Sequence, residues 1–123
     1  MSDWPWTIRE RVRFRDCDAM GHVNNAVYST YLEQARIEIM GGLGEMILAR
    51  VEIDFRAELR AAEEVEVRSR CARVGTKSFD LEHELWAGER LVAEAKSVLV
   101  GYDYTAGASR PLTESQRRRL QSA

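Results

Sequence analysis

The 123 residues carry 45% hydrophobic side chains, enough for one domain to bury a core without disulfides or metals. Lysine and arginine number 18 against 20 acidic side chains, a net charge of −2, so no global field draws the chain to nucleic acid or anionic lipid. The longest apolar run, Met46 to Ala49, falls far short of the roughly 20 residues that span a bilayer. Two cysteines, Cys17 and Cys71, lack CxxC spacing and the histidine neighbours of a zinc site, so both read as reduced and no metal is expected. Met1 to Trp6 has neither the basic flank nor the apolar stretch of a secretory leader, which makes the cytoplasm the expected compartment.

From Ile8 to about Arg15, the apolar residues Ile8, Val12 and Phe14 alternate with Arg9, Arg11 and Arg13, which predicts a half-buried first strand. Asp16 to Asn25 has no periodicity and is rich in Asx residues with one glycine, the composition of a loop. Val27, Tyr28, Tyr31, Leu32, Ala35 and Ile39 then recur at three- and four-residue steps. An asparagine at 24 or 25 can cap this segment and Gly41-Gly42 stops it, so a helix of about 24 Å is predicted over Asn25 to Met40.

The remainder reads as strands. Ile47, Ala49, Val51, Ile53, Phe55 and Ala57 alternate strictly with polar residues. Val65 to Cys71 and Phe79 to Leu85 continue the pattern, with Gly75-Thr76-Lys77 and Ala87-Gly88-Glu89 as turns. Leu91 to about Tyr104 is apolar on both faces, as in a central strand or one covered by a partner. The tail from about Thr105, including Arg117-Arg118-Arg119, is expected to be polar, solvated and loosely held. One strand, one helix and four hairpin-linked strands make a single α+β domain, a five-stranded antiparallel sheet covered by one helix.

Arg15-Asp-Cys-Asp-Ala-Met-Gly-His-Val-Asn-Asn-Ala-Val-Tyr28 resembles the 4-hydroxybenzoyl-CoA thioesterase family, in the branch that carries Asp-x-Asp-x-x-Gly-His-Val-Asn-Asn-x-x-Tyr. Tyr31-Leu-Glu-x-Ala-Arg36 also looks like that family's helix. The resemblance implies the hotdog fold and hydrolysis of an acyl-CoA or acyl-carrier-protein thioester without a cofactor. It places the catalytic carboxylate on Asp18 and the backbone N–H of Asn25 against the thioester oxygen. In the similar plant acyl-carrier-protein thioesterases an asparagine stands two residues after the second aspartate, where this chain has Met20. Relatives of this fold pair into dimers or tetramers, implying a homodimer or homotetramer here. They line the pantetheine tunnel with a turn from the partner chain, which points to Thr76, Lys77 and Ser78, with Lys77 toward a coenzyme phosphate.

Thioester hydrolysis needs a base or nucleophile beside the carbonyl carbon and donors aimed at the oxyanion. Asp18 can attack directly or take a proton from water. Unpaired N–H groups at the helix start supply donors. Gly21 lets the loop turn, and His22 either orients water and substrate or braces the loop. Asn24 reads as cap or substrate contact, and Tyr28 as packing or a pocket wall. Asp16 reads as a loop organiser, and Cys17, set among carboxylates, as structural. His83 falls on the apolar face of its strand, and Glu33 competes with Asp18 because another hotdog branch carries its glutamate on the helix. Outside hydrolysis, the alternatives are a hydratase or dehydratase acting on an acyl thioester, and a non-catalytic acyl-thioester binding module.

Overall fold

The computed structural model describes residues 3–42 and 44–121; Met1 and Ser2, part of the segment tested for a leader, lie outside them. Strands β1 (Trp6–Arg11), β2 (Met46–Phe55), β3 (Glu64–Val74), β4 (Ser78–Ala87) and β5 (Arg90–Asp103) form one antiparallel sheet in the order β1-β3-β4-β5-β2. A two-residue strand β6 (Ala108–Ser109) folds back on the end of β5 and makes the sheet six-stranded. Helix α1 (Asn25–Met40) lies against one face, and a second helix α2 (Glu114–Gln121) closes the chain. No described helix is long and apolar enough to cross a membrane.

Helix α1 has the bounds its sequence predicts. Asn24 caps it by accepting a 2.9 Å hydrogen bond from the Ala26 N–H, and Gly41 ends it at φ +70°. Tyr28, Leu32, Ala35 and Ile39 face the sheet, where Val65, Val67, Leu81, Leu85 and Leu99 meet them at nearly zero exposure. On the far face of the sheet, charged residues alternate with these: Glu66, Arg68 and Arg70 on β3, Glu82 and Glu84 on β4.

The core is not wholly apolar. His83 of β4, 2% exposed, lies with Nδ1 2.8 Å from Ser69 Oγ of β3 and Nε2 3.0 Å from Ser97 Oγ of β5. The buried Arg36 of α1 donates to the same Ser97 hydroxyl at 3.3 Å. Burial and the Arg36 charge push the His83 imidazole down to about 3, so it is neutral at ordinary pH.

Three expectations are corrected. The first strand stops at Arg11 and Phe14, expected inside, is 88% exposed. The cause is Asp16, whose carboxylate accepts from the Arg13 N–H at 2.9 Å while its own N–H donates to the Arg13 carbonyl, winding Phe14–Asp16 into a 3-10 turn that turns Phe14 outward. The alternation in β2 does not carry through to burial: on this edge strand Val51 is 37% and Phe55 45% exposed, a register shift between Leu48 and Arg50 interrupts the pattern, and Met46 and Ile53 pack on the core. The tail from about 105 is not loose throughout. Leu112, Gln116 and Leu120, each four residues apart, are buried, with Leu112 and Leu120 in the cluster that holds Ile39, Met40 and Phe79.

Candidate active site

Asp16 to Asn25 forms a tight hairpin clipped to the molecule on both sides. Cys17 pairs with Val23, the Asp18 N–H donates to the His22 carbonyl at 2.8 Å, and the Asn24 N–H donates to the Asp16 carbonyl at 2.9 Å. Gly21 turns the chain at φ +81°, a conformation costly for any residue with a Cβ. On the outer side the Val23 N–H donates to the Leu59 carbonyl at 2.7 Å, and His22 bridges to Arg60. Asp16 Oδ2 also accepts from the buried Tyr31 hydroxyl at 2.9 Å; burial first, and then this hydrogen bond, raise that phenol's pKa. Asp16 is thus committed to holding the loop against α1.

Asp18 is oriented differently. Its Oδ1 accepts from the Met20 N–H at 2.8 Å and the His22 N–H at 3.3 Å, which leaves Oδ2 with no protein partner among the described residues. The backbone at position 20 makes this contact, and the Met20 side chain is exposed. The Ala26 and Val27 N–H groups bond to the Asn24 side chain and carbonyl. The Asn25 N–H, first in the helix, has no partner among the described residues, so the positive end of α1 presents one free donor next to a loop with one free carboxylate oxygen.

The other candidates divide between this end and the opposite end of the sheet. His22 is partly exposed, its Nε2 2.7 Å from Glu58 Oε2. Asn24 acts as a cap. Tyr28 is buried, its ring edge-on to Phe55 at 5.0 Å, and burial raises its pKa. Cys17 Sγ lies 3.8 Å from the Arg13 carbonyl. Glu33 is exposed on α1 and His83 belongs to the core network. Thr76, Lys77 and Ser78 sit at the β3–β4 turn. The Asp18 loop lies beyond the end of β3 where Glu64 pairs with Arg11, and the turn lies beyond Val74. The 11 residues of β3 separate them by roughly 33 Å, so one chain does not bring Lys77 to Asp18.

Glu58 was not singled out in the sequence, and nothing local marks it: it stands 36 residues after His22, outside any strand periodicity. A cleft among Glu52, Arg70, Glu82 and Lys96 lies on the charged face of the sheet, away from the loop. Among the described residues, no three His, Cys, Asp or Glu side chains gather as metal ligands.

A model of the thioesterase-like superfamily matches residues 12–120. Among solved structures, a thioesterase from Thermus thermophilus, crystallised with coenzyme A and zinc, is similar at 35% identity and a TM-score of 0.89, over 99% of this chain and 96% of that one. A gentisyl-coenzyme A thioesterase aligns at 25% identity and a TM-score of 0.83, covering 94% of this chain and 99% of that chain. A 1,4-dihydroxy-2-naphthoyl-CoA thioesterase from Synechocystis shares the fold at 18% identity and a TM-score of 0.84, with 94% of each chain covered.

Proposed function

The chain belongs to the thioesterase-like superfamily, with its hotdog fold, and on that premise we propose that it hydrolyses acyl-coenzyme A to free acid and thiol with Asp18 as the working carboxylate. The observation that carries this reading is that one contiguous stretch leaves two groups unoccupied: Asp18 Oδ2, on a carboxylate whose other oxygen is fixed by two N–H groups, and the Asn25 N–H at the start of α1.

In the general-base form, Oδ2 takes a proton from water as the water oxygen bonds to the carbonyl carbon. The oxyanion that forms is stabilised by the Asn25 N–H, a donor of a kind worth about 3 kcal/mol in the barrier. The C–S bond then breaks with its electron pair going to sulfur, which takes up a proton. In the nucleophilic form, Oδ2 bonds to the carbonyl carbon and expels the thiolate, and water opens the resulting anhydride. Carboxyl 18O uptake into Asp18 during a single turnover in labelled water would mark the nucleophilic form, with water attacking the Asp18 acyl carbon and the substrate's carboxylate leaving. Glu33, exposed on α1 and outside the loop, fits neither form, which favours the hydroxybenzoyl-type branch.

The reading includes a homodimer. Edge strand β2 exposes Leu48, Val51 and Phe55 on one face and Ile47 on the other, apolar surface that a second copy would cover while continuing the sheet. Such a pairing supplies from the partner the Thr76-Lys77-Ser78 turn, which is out of reach within one chain. Release of free thiol from a panel of acetyl-, octanoyl-, palmitoyl- and benzoyl-CoA tests the activity. The gentisyl-CoA relative puts benzoyl-CoA first in order. A chain inert toward every member is not a hydrolase of this class.

A further inference from the structure

Resting on the hydrolase reading, we infer that Glu58 is a positioning residue that acts through His22. The segment that carries Glu58 is anchored to the catalytic loop by its backbone: Leu59 is fully buried and accepts from the Val23 N–H at 2.7 Å, and Arg60 bridges to His22. Each oxygen of Glu58 has its own partner. Oε1 accepts from Arg60 Nε at 3.0 Å, with a further contact to the same guanidinium, and Oε2 faces His22 Nε2 at 2.7 Å. Arg90 donates to the Glu58 carbonyl at 3.1 Å and ion-pairs with Glu63. Arg60 thus holds the carboxylate itself, while Arg90 and the Leu59–Val23 hydrogen bond fix the main chain that carries it.

A carboxylate only accepts, so a 2.7 Å contact requires the proton on Nε2. Neutral His22 is therefore the Nε2–H tautomer, with its lone pair on Nδ1, which has no protein partner among the described residues. The imidazole can accept a hydrogen bond from water or substrate through Nδ1. It cannot serve as a neutral donor through Nε2, one of the roles open to it from sequence. The backbone that carries this ring is tied to Asp18, whose Oδ1 accepts the His22 N–H at 3.3 Å. Glu58 sets the tautomer and plane of a histidine four residues from the working carboxylate. As a partly exposed ion pair it adds little to stability, so its removal leaves the fold intact.

The test combines tautomer and kinetics. Long-range 15N–1H spectra at alkaline pH resolve the chain's two imidazoles, His22 and His83, with His22→Ala giving the assignment. The wild type should show His22 as Nε2–H, and Glu58→Ala should mix the tautomers. With benzoyl-CoA or the best panel substrate, Glu58→Ala should lower kcat about tenfold with KM within about twofold, and Glu58→Gln, whose amide oxygen still accepts, should recover most of it. In a His22→Ala background Glu58→Ala should cost nothing more. An Nδ1–H tautomer in the wild type, an unchanged kcat in Glu58→Ala, or additive losses in the double variant would each overturn the inference while leaving the hydrolase reading standing. A wild type inert to the whole panel would sink that reading, and this inference with it.

Discussion

Asp18→Asn separates chemistry from folding more cleanly than any other change in the loop. The amide oxygen can still accept from the Met20 and His22 N–H groups as Oδ1 does now, while the free Oδ2 becomes an amide nitrogen that neither accepts a proton nor attacks a carbonyl. Losing that function should lower kcat at least about a hundredfold, equivalent to about 2.7 kcal/mol in the barrier. Because the loop's own hydrogen bonds survive, the melting temperature should stay within about 2 °C and coenzyme A binding should persist. Asp18→Ala is the contrast: it also strips both loop contacts, up to about 2 kcal/mol, and should melt several degrees lower. Thiol release gives turnover, calorimetry gives binding, and Glu33→Gln in parallel should lose no more than about threefold. An Asp18→Asn protein that turns over normally beside a dead Glu33→Gln would move the chemistry to the helix and refute the reasoning from Oδ2.

Other expected outcomes can be checked with the same protein. His83 has its imidazole held at about 3 when folded against 6.5 when exposed. Between those values the unfolded chain binds the extra proton, so stability present above about pH 6.5 is lost as pH falls toward 3, on the order of a few kcal/mol; denaturant midpoints should drop less steeply in His83→Asn than in the wild type, and equal slopes would contradict the assignment. Val51→Lys on the edge strand should shift sedimentation from dimer to folded monomer, and a wild type already monomeric at micromolar concentration would remove the dimer. Leu120→Ala should cost about 2–4 kcal/mol in chemical denaturation because Leu120 is buried against the core, whereas a tail hanging free would lose nothing. Dialysis against a chelator should leave the hydrolysis rate unchanged.

What the sequence displayed and what it concealed divide along locality. Helix α1 was readable to the residue, since its cap Asn24, its apolar spacing and Gly41 are all local signals. Strands β3 and β4 were readable because their inner faces are covered and their outer faces are wet, so composition alternates with burial. Phe14 misled because the pull of Asp16 on Arg13 outweighs two more residues of alternation. Strand β2 misled in the other direction: a register shift between Leu48 and Arg50 interrupts its alternation, and several of its apolar side chains stay exposed. Helix α2 was hidden by its run of three arginines, which masks the two inward side chains, Gln116 and Leu120. In the site, Asp18 and the cap came from one contiguous stretch. Glu58 did not, since its tie to His22 depends on how residues 57–61 cross behind the loop.

The buried Ser69–His83–Ser97 chain bears on how the sheet finds its pairing. Strands β3, β4 and β5 are long and alternate, so sliding β4 by two residues against its neighbours would keep every apolar side chain facing α1. Hydrophobicity alone barely distinguishes such a slip. His83 does distinguish it. In the native alignment it stands opposite Ser69 on one side, with the Ser97 hydroxyl within reach on the other. A two-residue slide would set it against Val67 or Cys71 of β3, breaking the Ser69–His83–Ser97 chain and burying the Ser69 hydroxyl without its imidazole partner at about 1–3 kcal/mol. The three polar residues act as a key that only one alignment of these strands can turn, and Arg36, reaching Ser97 from above, ties the helix to that same alignment.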